Sequence, residues 1–120
     1  MTIAAQITYN DDGSLQVLWE ALVASEAGAP VNFPDYKLQS VQGFGNFDTS
    51  GTVAFQGSNA VLGTGTFTTM EDVASVATSF AAAGFYAMGA DAYWMKPVVT
   101  ANGAGGLVDV DVYAHFVPRR

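Results

Sequence analysis

The chain contains one histidine, His115, and no cysteine, and those two counts settle most of the chemistry open to it. Zinc sites with two or more Cys or His ligands, HExxH helices and Cys–His nucleophile pairs all require residues that the sequence lacks. A serine triad would have to use His115 as its base, yet this residue lies on an alternating strand close to the basic Arg119-Arg120 end and reads as an exposed strand position. Asp109 and Asp111 share one face of the same strand, with α-carbons about 6 to 7 Å apart. That spacing suits a pair of carboxylates. A glycosidase, however, needs its second carboxylate across a cleft, and calcium needs about six oxygens, more than the local sequence offers. The two aspartates therefore read as a solvated face or a patch for a basic partner.

Two further motifs resolve into turns. Asp11-Asp12-Gly13 lacks the later alternate oxygen ligands of a calcium loop. Gly43-Phe44-Gly45-Asn46-Phe47 and the Gly103 to Gly106 run lack the helix and the Lys-Ser/Thr pair of a phosphate-binding loop. The aromatic residues carry more promise. Trp19, Phe85, Tyr86, Tyr93 and Trp94 are the residue types that build sugar platforms and interface anchors. Trp19 alternates with Leu15 and Val17 and belongs to the core. Tyr93 and Trp94 are adjacent in one extended segment, so one of them faces away from the core and is the better candidate for an intermolecular contact.

These residues must be positioned by short strands. Ile3, Ala5, Ile7 and Tyr9 alternate with polar or small residues, Asn10-Asp11-Asp12-Gly13 supplies a turn, and Leu15 to Leu22 returns as a hairpin partner. Residues 23 to 39, with Gly28-Ala29-Pro30 and Phe33-Pro34-Asp35-Tyr36, read as a long contact loop. Ser40 to Phe47 and Thr52 to Gly57 read as a second hairpin across Asp48-Thr49-Ser50-Gly51. The glycines at 43, 45 and 57 mark bulges or close backbone approaches. Gly63 to Thr69 is extended. Thr69-Met70-Glu71-Asp72 resembles a capping box, and Met70, Val73, Val76, Ala77 and Phe80 fall at helical spacing, so a short helix is expected over about 70–83, with a strand as the competing reading. Tyr93 to Thr100 reads as a strand that Pro97 confines to an edge or a bulge. Leu107 to Phe116 is the strongest strand, with Val108, Val110, Val112, Ala114 and Phe116 on its apolar face.

The sum is one mainly β domain over residues 1–120, an antiparallel sandwich or jelly roll with at most one short helix. Its 120 residues carry only 15 charges, 11 acidic and four basic, for a net charge near −7. That balance argues against nucleic acid and anionic membrane as partners. No basic-plus-apolar leader and no apolar run long enough to span a bilayer is present, so the chain is expected to fold where it is made. The low charge suggests that part of the surface is covered by neighbours.

Ile7-Thr8-Tyr9-Asn10, Trp19-Glu20-Ala21-Leu22, Gly28-Ala29-Pro30 through Phe33-Pro34-Asp35-Tyr36, Ser40-Val41-Gln42, Gly51-Thr52-Val53, Gly57-Ser58-Asn59 and Lys96-Pro97-Val98-Val99-Thr100 together resemble a family of short β-sandwich virion proteins of tailed bacteriophages. The resemblance implies a non-enzymatic capsid decoration or cement protein without cofactor or metal. Such a protein is made in the host cytoplasm and carried on the capsid surface. Its partners would be the major capsid protein and further copies of itself in a dimer or trimer. A tail or baseplate subunit and a carbohydrate-binding module using Trp94 or Tyr93 with Asp109 and Asp111 are the alternatives. The sequence departs from the family pattern after Asn59, where Ala60-Val61-Leu62 opens an apolar stretch to about position 92. Phe33, Tyr36, Phe80, Phe85, Tyr86 and Trp94 are the candidate interface residues, those of the 60–92 stretch by packing against a second copy or the capsid.

Overall fold

The structure is a computed structural model that describes residues 2–60, 66–89 and 91–119. Among these residues there is no helix. The strands are β1 (Thr2–Ile3), β2 (Ala5–Tyr9), β3 (Leu15–Val23), β4 (Ala27–Gly28), β5 (Tyr36–Asn46), β6 (Gly51–Ser58), β7 (Thr68–Thr69), β8 (Ser79–Phe80), β9 (Gly84–Ala87), β10 (Trp94–Asn102) and β11 (Asp109–Pro118). They form a β-sandwich. One sheet runs β1-β4-β10-β6-β7, with β8 also on β6; the other runs β2-β3-β11-β5-β9. All described pairings are antiparallel except β1 with β4.

The two sheets meet over one apolar core. Leu15, Val17 and Trp19 of β3, Leu38 and Val41 of β5 and Val110 to Phe116 at alternate positions of β11 face Val53 and Phe55 of β6, Met95 and Val99 of β10 and Phe80 of β8. The expected first hairpin is present: β2 pairs with β3 from Ala5 opposite Trp19 to Tyr9 opposite Leu15. Its turn closes with Asn10 N donating to Ser14 O at 2.9 Å, and Gly13 adopts φ +87°. The apolar face of β11 is also as the alternation requires.

Three expectations are corrected. First, β5 and β6 are not a hairpin, because they lie in different sheets. Asp48 and Ser50, at φ 55° and 67°, turn the chain through a corner from one sheet to the other. Second, β10 is not an edge, since β4 and β6 flank it. Its register shift falls between Val99 and Ala101, beyond Pro97. Third, the segment expected as a helix over about 70–83 is a looped excursion off β6. Met70 N donates to Phe55 O and Phe55 N to Thr78 O, which binds both feet of the excursion to one residue of β6. Between them Asp72 Oδ1 accepts the N–H groups of Ala74 and Val76, and Ser75 stands at φ 62°. A left-handed non-glycine residue ends any helical run. The five residues at helical spacing also split: Met70 and Phe80 are buried, whereas Val73, Val76 and Ala77 are exposed. The extended piece expected from Gly63 begins outside the described residues.

The region 23–39 is tied down on both sides, which also differs from a projecting loop. Trp19 is wholly buried in β3, stands edge-on to Phe55 at 5.9 Å and donates its indole Nε1–H to Ala29 O across the sandwich at 2.9 Å. Met95 and Val31 exchange both backbone hydrogen bonds. Further along, Val98 pairs with Ala27, which sets Pro97 beside Gly28. Gly28 fits against this arrangement because a β-carbon there would collide with Trp19 Cδ1 and lie 2.7 Å from Pro97 Cδ.

The far end of the sandwich is held by Asp48. Its Oδ2 accepts the N–H groups of Gly105 at 2.8 Å and Leu107 at 3.1 Å, and Ala104 N donates to Thr49 O. The backbone N–H groups of Leu107, Thr49 and Gly105 hold the Asp48 carboxyl below its ordinary value of 3.8.

Two outcomes follow for stability. Trp19→Phe removes the donor to Ala29 and leaves a cavity, and Gly28→Ala forces the Trp19 ring to move; each is expected to cost about 2–3 kcal/mol in urea unfolding. A loss under about 0.5 kcal/mol for both would contradict this account of the core. Because folding lowers the Asp48 pKa, its contribution is full above the ordinary carboxylate value and disappears as pH falls through the folded value. The stability gap between the natural chain and Asp48→Asn should therefore be present at pH 7 and shrink below about pH 4. Equal gaps at both pH values would contradict it.

Candidate functional site

The structure separates the six candidate interface residues. Phe80 is 2% exposed; its ring lies over Gly43, where a β-carbon would come within 3.0 Å of it, and it meets Tyr86 edge-on at 5.0 Å. It is a core residue and not an interface residue, because β8 pairs with β6 and turns Phe80 inward. Tyr86 is half-buried and donates its hydroxyl hydrogen to Ser79 O at 2.9 Å. Phe33 and Tyr36 are half-buried too, Phe33 standing edge-on to Phe116 at 5.2 Å and to Tyr36 at 6.4 Å. Trp94 lies on the outer side of its sheet, since Met95 points inward, and it meets Tyr93 edge-on at 5.8 Å. Phe85 is the freely exposed member of the set, at 64%. The apolar 60–92 stretch thus spends Phe80 and Met88 on the domain's own core.

The carbohydrate alternative does not assemble as expected. Trp94 pairs with Ser58 at one end of the sandwich, whereas Asp109 pairs with Val23 and Asn46 at the other, in the opposite sheet. Asp111 serves its own neighbourhood, where its Oδ1 accepts Ala21 N–H at 2.8 Å as β3 bulges at φ 60°. Asp12 is likewise engaged with the Ser14 hydroxyl and amide, which lower its pKa. Among the described residues no group of three or more His, Cys, Asp or Glu is placed to hold a metal ion.

Two other surfaces come forward. The first is the free edge of β2. Ile7 and Tyr9 pair with Val17 and Leu15, so they sit on the core-facing side of the sheet, yet they are 45% and 69% exposed. The N-terminal run explains this. Thr2 and Ile3 pair in one sheet and residues from Ala5 onward in the other, so the opposite layer ends at β1 and β2 extends past it. Natural sheet edges are commonly blocked by charge, proline or a bulge. Residues 2 to 10 contain neither a charged residue nor a proline, and the pairing of β2 with β3 is regular.

The second surface is the outer face of the same five-stranded sheet. Register places Thr8, Gln16, His115, Ser40 and Ala87 in one row across the strands, and Gln6, Leu18, Tyr113, Gln42 and Phe85 in the next. Tyr113 stacks on Phe44 at 5.6 Å with their planes 17° apart. His115 Nδ1 lies 2.8 Å from Gln39 Oε1. A shallow depression of about 600 Å³ opens over these residues, lined by Gln16, Gln39, Gln42, Phe85, Tyr113 and His115 among others.

Neither surface stands out in the sequence. The alternation that places Ile7 and Tyr9 on the inner face is correct, and only the length of the opposite sheet exposes them. Each outer row joins residues from five strands, most of them far apart in the chain. No protein-family model, curated protein or solved structure matches the chain.

Proposed function

We propose that the chain is a non-catalytic structural protein of a bacteriophage virion, a capsid decoration protein that assembles through its sheet edge. The observation that carries the assembly is the uncharged, unblocked edge of β2 with Ile7 and Tyr9 exposed on its inner side. The virion setting rests on the resemblance of the Trp19, Gly28-Ala29-Pro30 and Lys96-Pro97 segments to that family.

The β2 sequence is self-complementary about Ile7. In an antiparallel two-fold pairing centred there, Ala5 meets Tyr9, Gln6 meets Thr8 and Ile7 meets its own copy. Apolar residues then face apolar ones on the inner side, and polar face polar on the outer. An isologous contact of this kind closes as a dimer and joins two five-stranded sheets into one of ten. The inner side of that seam covers four exposed apolar side chains, Ile7 and Tyr9 from each copy. Net charge near −7 on each copy opposes the approach and is screened by salt. On a shell the same edge could instead receive a strand of the major capsid protein, which makes decoration an additive stabilisation by repeated contacts.

Sedimentation velocity on the purified chain tests the edge. Association is expected to strengthen with ionic strength and to disappear in Ile7→Lys while the fold, by circular dichroism, is kept. A chain that stays monomeric at about 100 μM in high salt contradicts self-assembly through β2. Quantitative mass spectrometry of purified particles of the phage that encodes the chain tests the setting. The chain should be present in a fixed ratio to the major capsid protein, and its absence from the particles overturns the virion reading.

A further inference from the structure

We propose that the outer face of the five-stranded sheet is a binding site for a neutral oligosaccharide. The depression over it, about 600 Å³, falls within the roughly 300–1,000 Å³ of small-molecule sites. Its lining combines two kinds of group. Three glutamines, Gln16, Gln39 and Gln42, and His115 provide planar polar groups, while Tyr113 and Phe85 provide ring faces.

The arrangement is periodic because the sheet is. Tyr113, Gln42 and Phe85 are directly opposite one another on β11, β5 and β9, so the two rings flank the glutamine about 10 Å apart. That separation accommodates two pyranose rings of one chain with a third between them, over the glutamine. A pyranose presents an apolar C–H face, which covers an aromatic ring, and a rim of hydroxyls that both donate and accept. Each glutamine amide has one acceptor oxygen and two donor hydrogens and can meet such hydroxyls in pairs. His115 Nδ1 lies 2.8 Å from Gln39 Oε1, and Nε2 is the second polar atom of the ring. Tyr113 is held in place from behind, stacked on Phe44, so one platform is ordered before a ligand arrives.

Other ligand classes fit less well. Among the described residues no lysine or arginine lines the depression, and the chain is acidic overall, which disfavours phosphates, sulfated sugars and nucleic acid. A purely apolar ligand would cover the amides of Gln16, Gln39 and Gln42 without pairing them, at a cost for each. An added peptide strand pairs at a sheet edge and leaves a sheet face untouched. The face is separate from the β2 seam, to which it contributes only Gln6 and Thr8 at its margin, so the site stands whether or not the chain dimerises.

The test is a titration of the ¹⁵N-labelled full chain with neutral oligosaccharides, namely maltohexaose, cellohexaose, xylohexaose, mannohexaose and chitotetraose, alongside a glycan array. At least one neutral glycan is expected to produce saturable shifts confined to the amides around Gln16, Gln42, Phe85 and Tyr113, with Kd near or below about 1 mM. Tyr113→Ala and Phe85→Ala, both folded by their spectra, should each weaken binding about tenfold or more, and inorganic phosphate and heparin should leave the face unmoved. Three results overturn the proposal. One is the absence of saturable binding by every probe up to about 10 mM. Another is binding that survives both substitutions. The third is perturbation of the face only when protein concentration rises, which would assign it to a second copy.

Discussion

The hydrogen bond from the Trp19 indole to Ala29 O joins the two sheets from within the core. A buried carbonyl left unpaired costs about 1–3 kcal/mol. The ring that meets this need is also the largest wholly buried side chain of the core. Gly28 must lack a side chain for the ring to lie flat against the strand it serves. Ala29 N in turn donates to Ile3 O, and β1 pairs with β4. The position of the N-terminal run therefore depends on Trp19 through two further contacts. The course of β2 past the opposite layer, which exposes Ile7 and Tyr9, follows from that anchoring.

Features of the fold governed by nearby residues were legible in the sequence. The β2–β3 hairpin carries its turn and both alternating faces within about twenty residues, and β11 alternates without interruption. The burial of Trp19 followed from its phase with Leu15 and Val17. What failed depended on partners distant in the chain. Asp48-Thr49-Ser50-Gly51 has the composition of a hairpin turn, and the same composition makes a corner between sheets; the difference lies in where Asp48 finds its donors, at Gly105 and Leu107. The segment near 70 carried helical spacing, yet Phe55 binds it at both feet and Asp72 takes up the amides that a helix would have needed. Pro97 suggested an edge because the strands that flank β10, namely β4 and β6, come from distant parts of the chain.

The same distinction governs the candidate surfaces. Aromatic type alone selected six residues, and it cannot tell Phe80 from Phe85. They differ because β8 adds to β6 facing inward while β9 adds to β5 with Phe85 facing outward. The row of Tyr113, Gln42 and Phe85 exists only once three registers are fixed, so no spacing in the chain announces it.

A domain with 15 charges among 120 residues must cover its surface with neutral polar groups, and their placement is uneven. The end of the sandwich held by Asp48 and the turn held by Asp12 use their carboxylates to bind backbone amides, which leaves less free charge than the count suggests. The five-stranded sheet gathers glutamines on its outer face and uncharged edge residues along β2. The net charge near −7 on each copy is felt as a long-range, salt-sensitive repulsion.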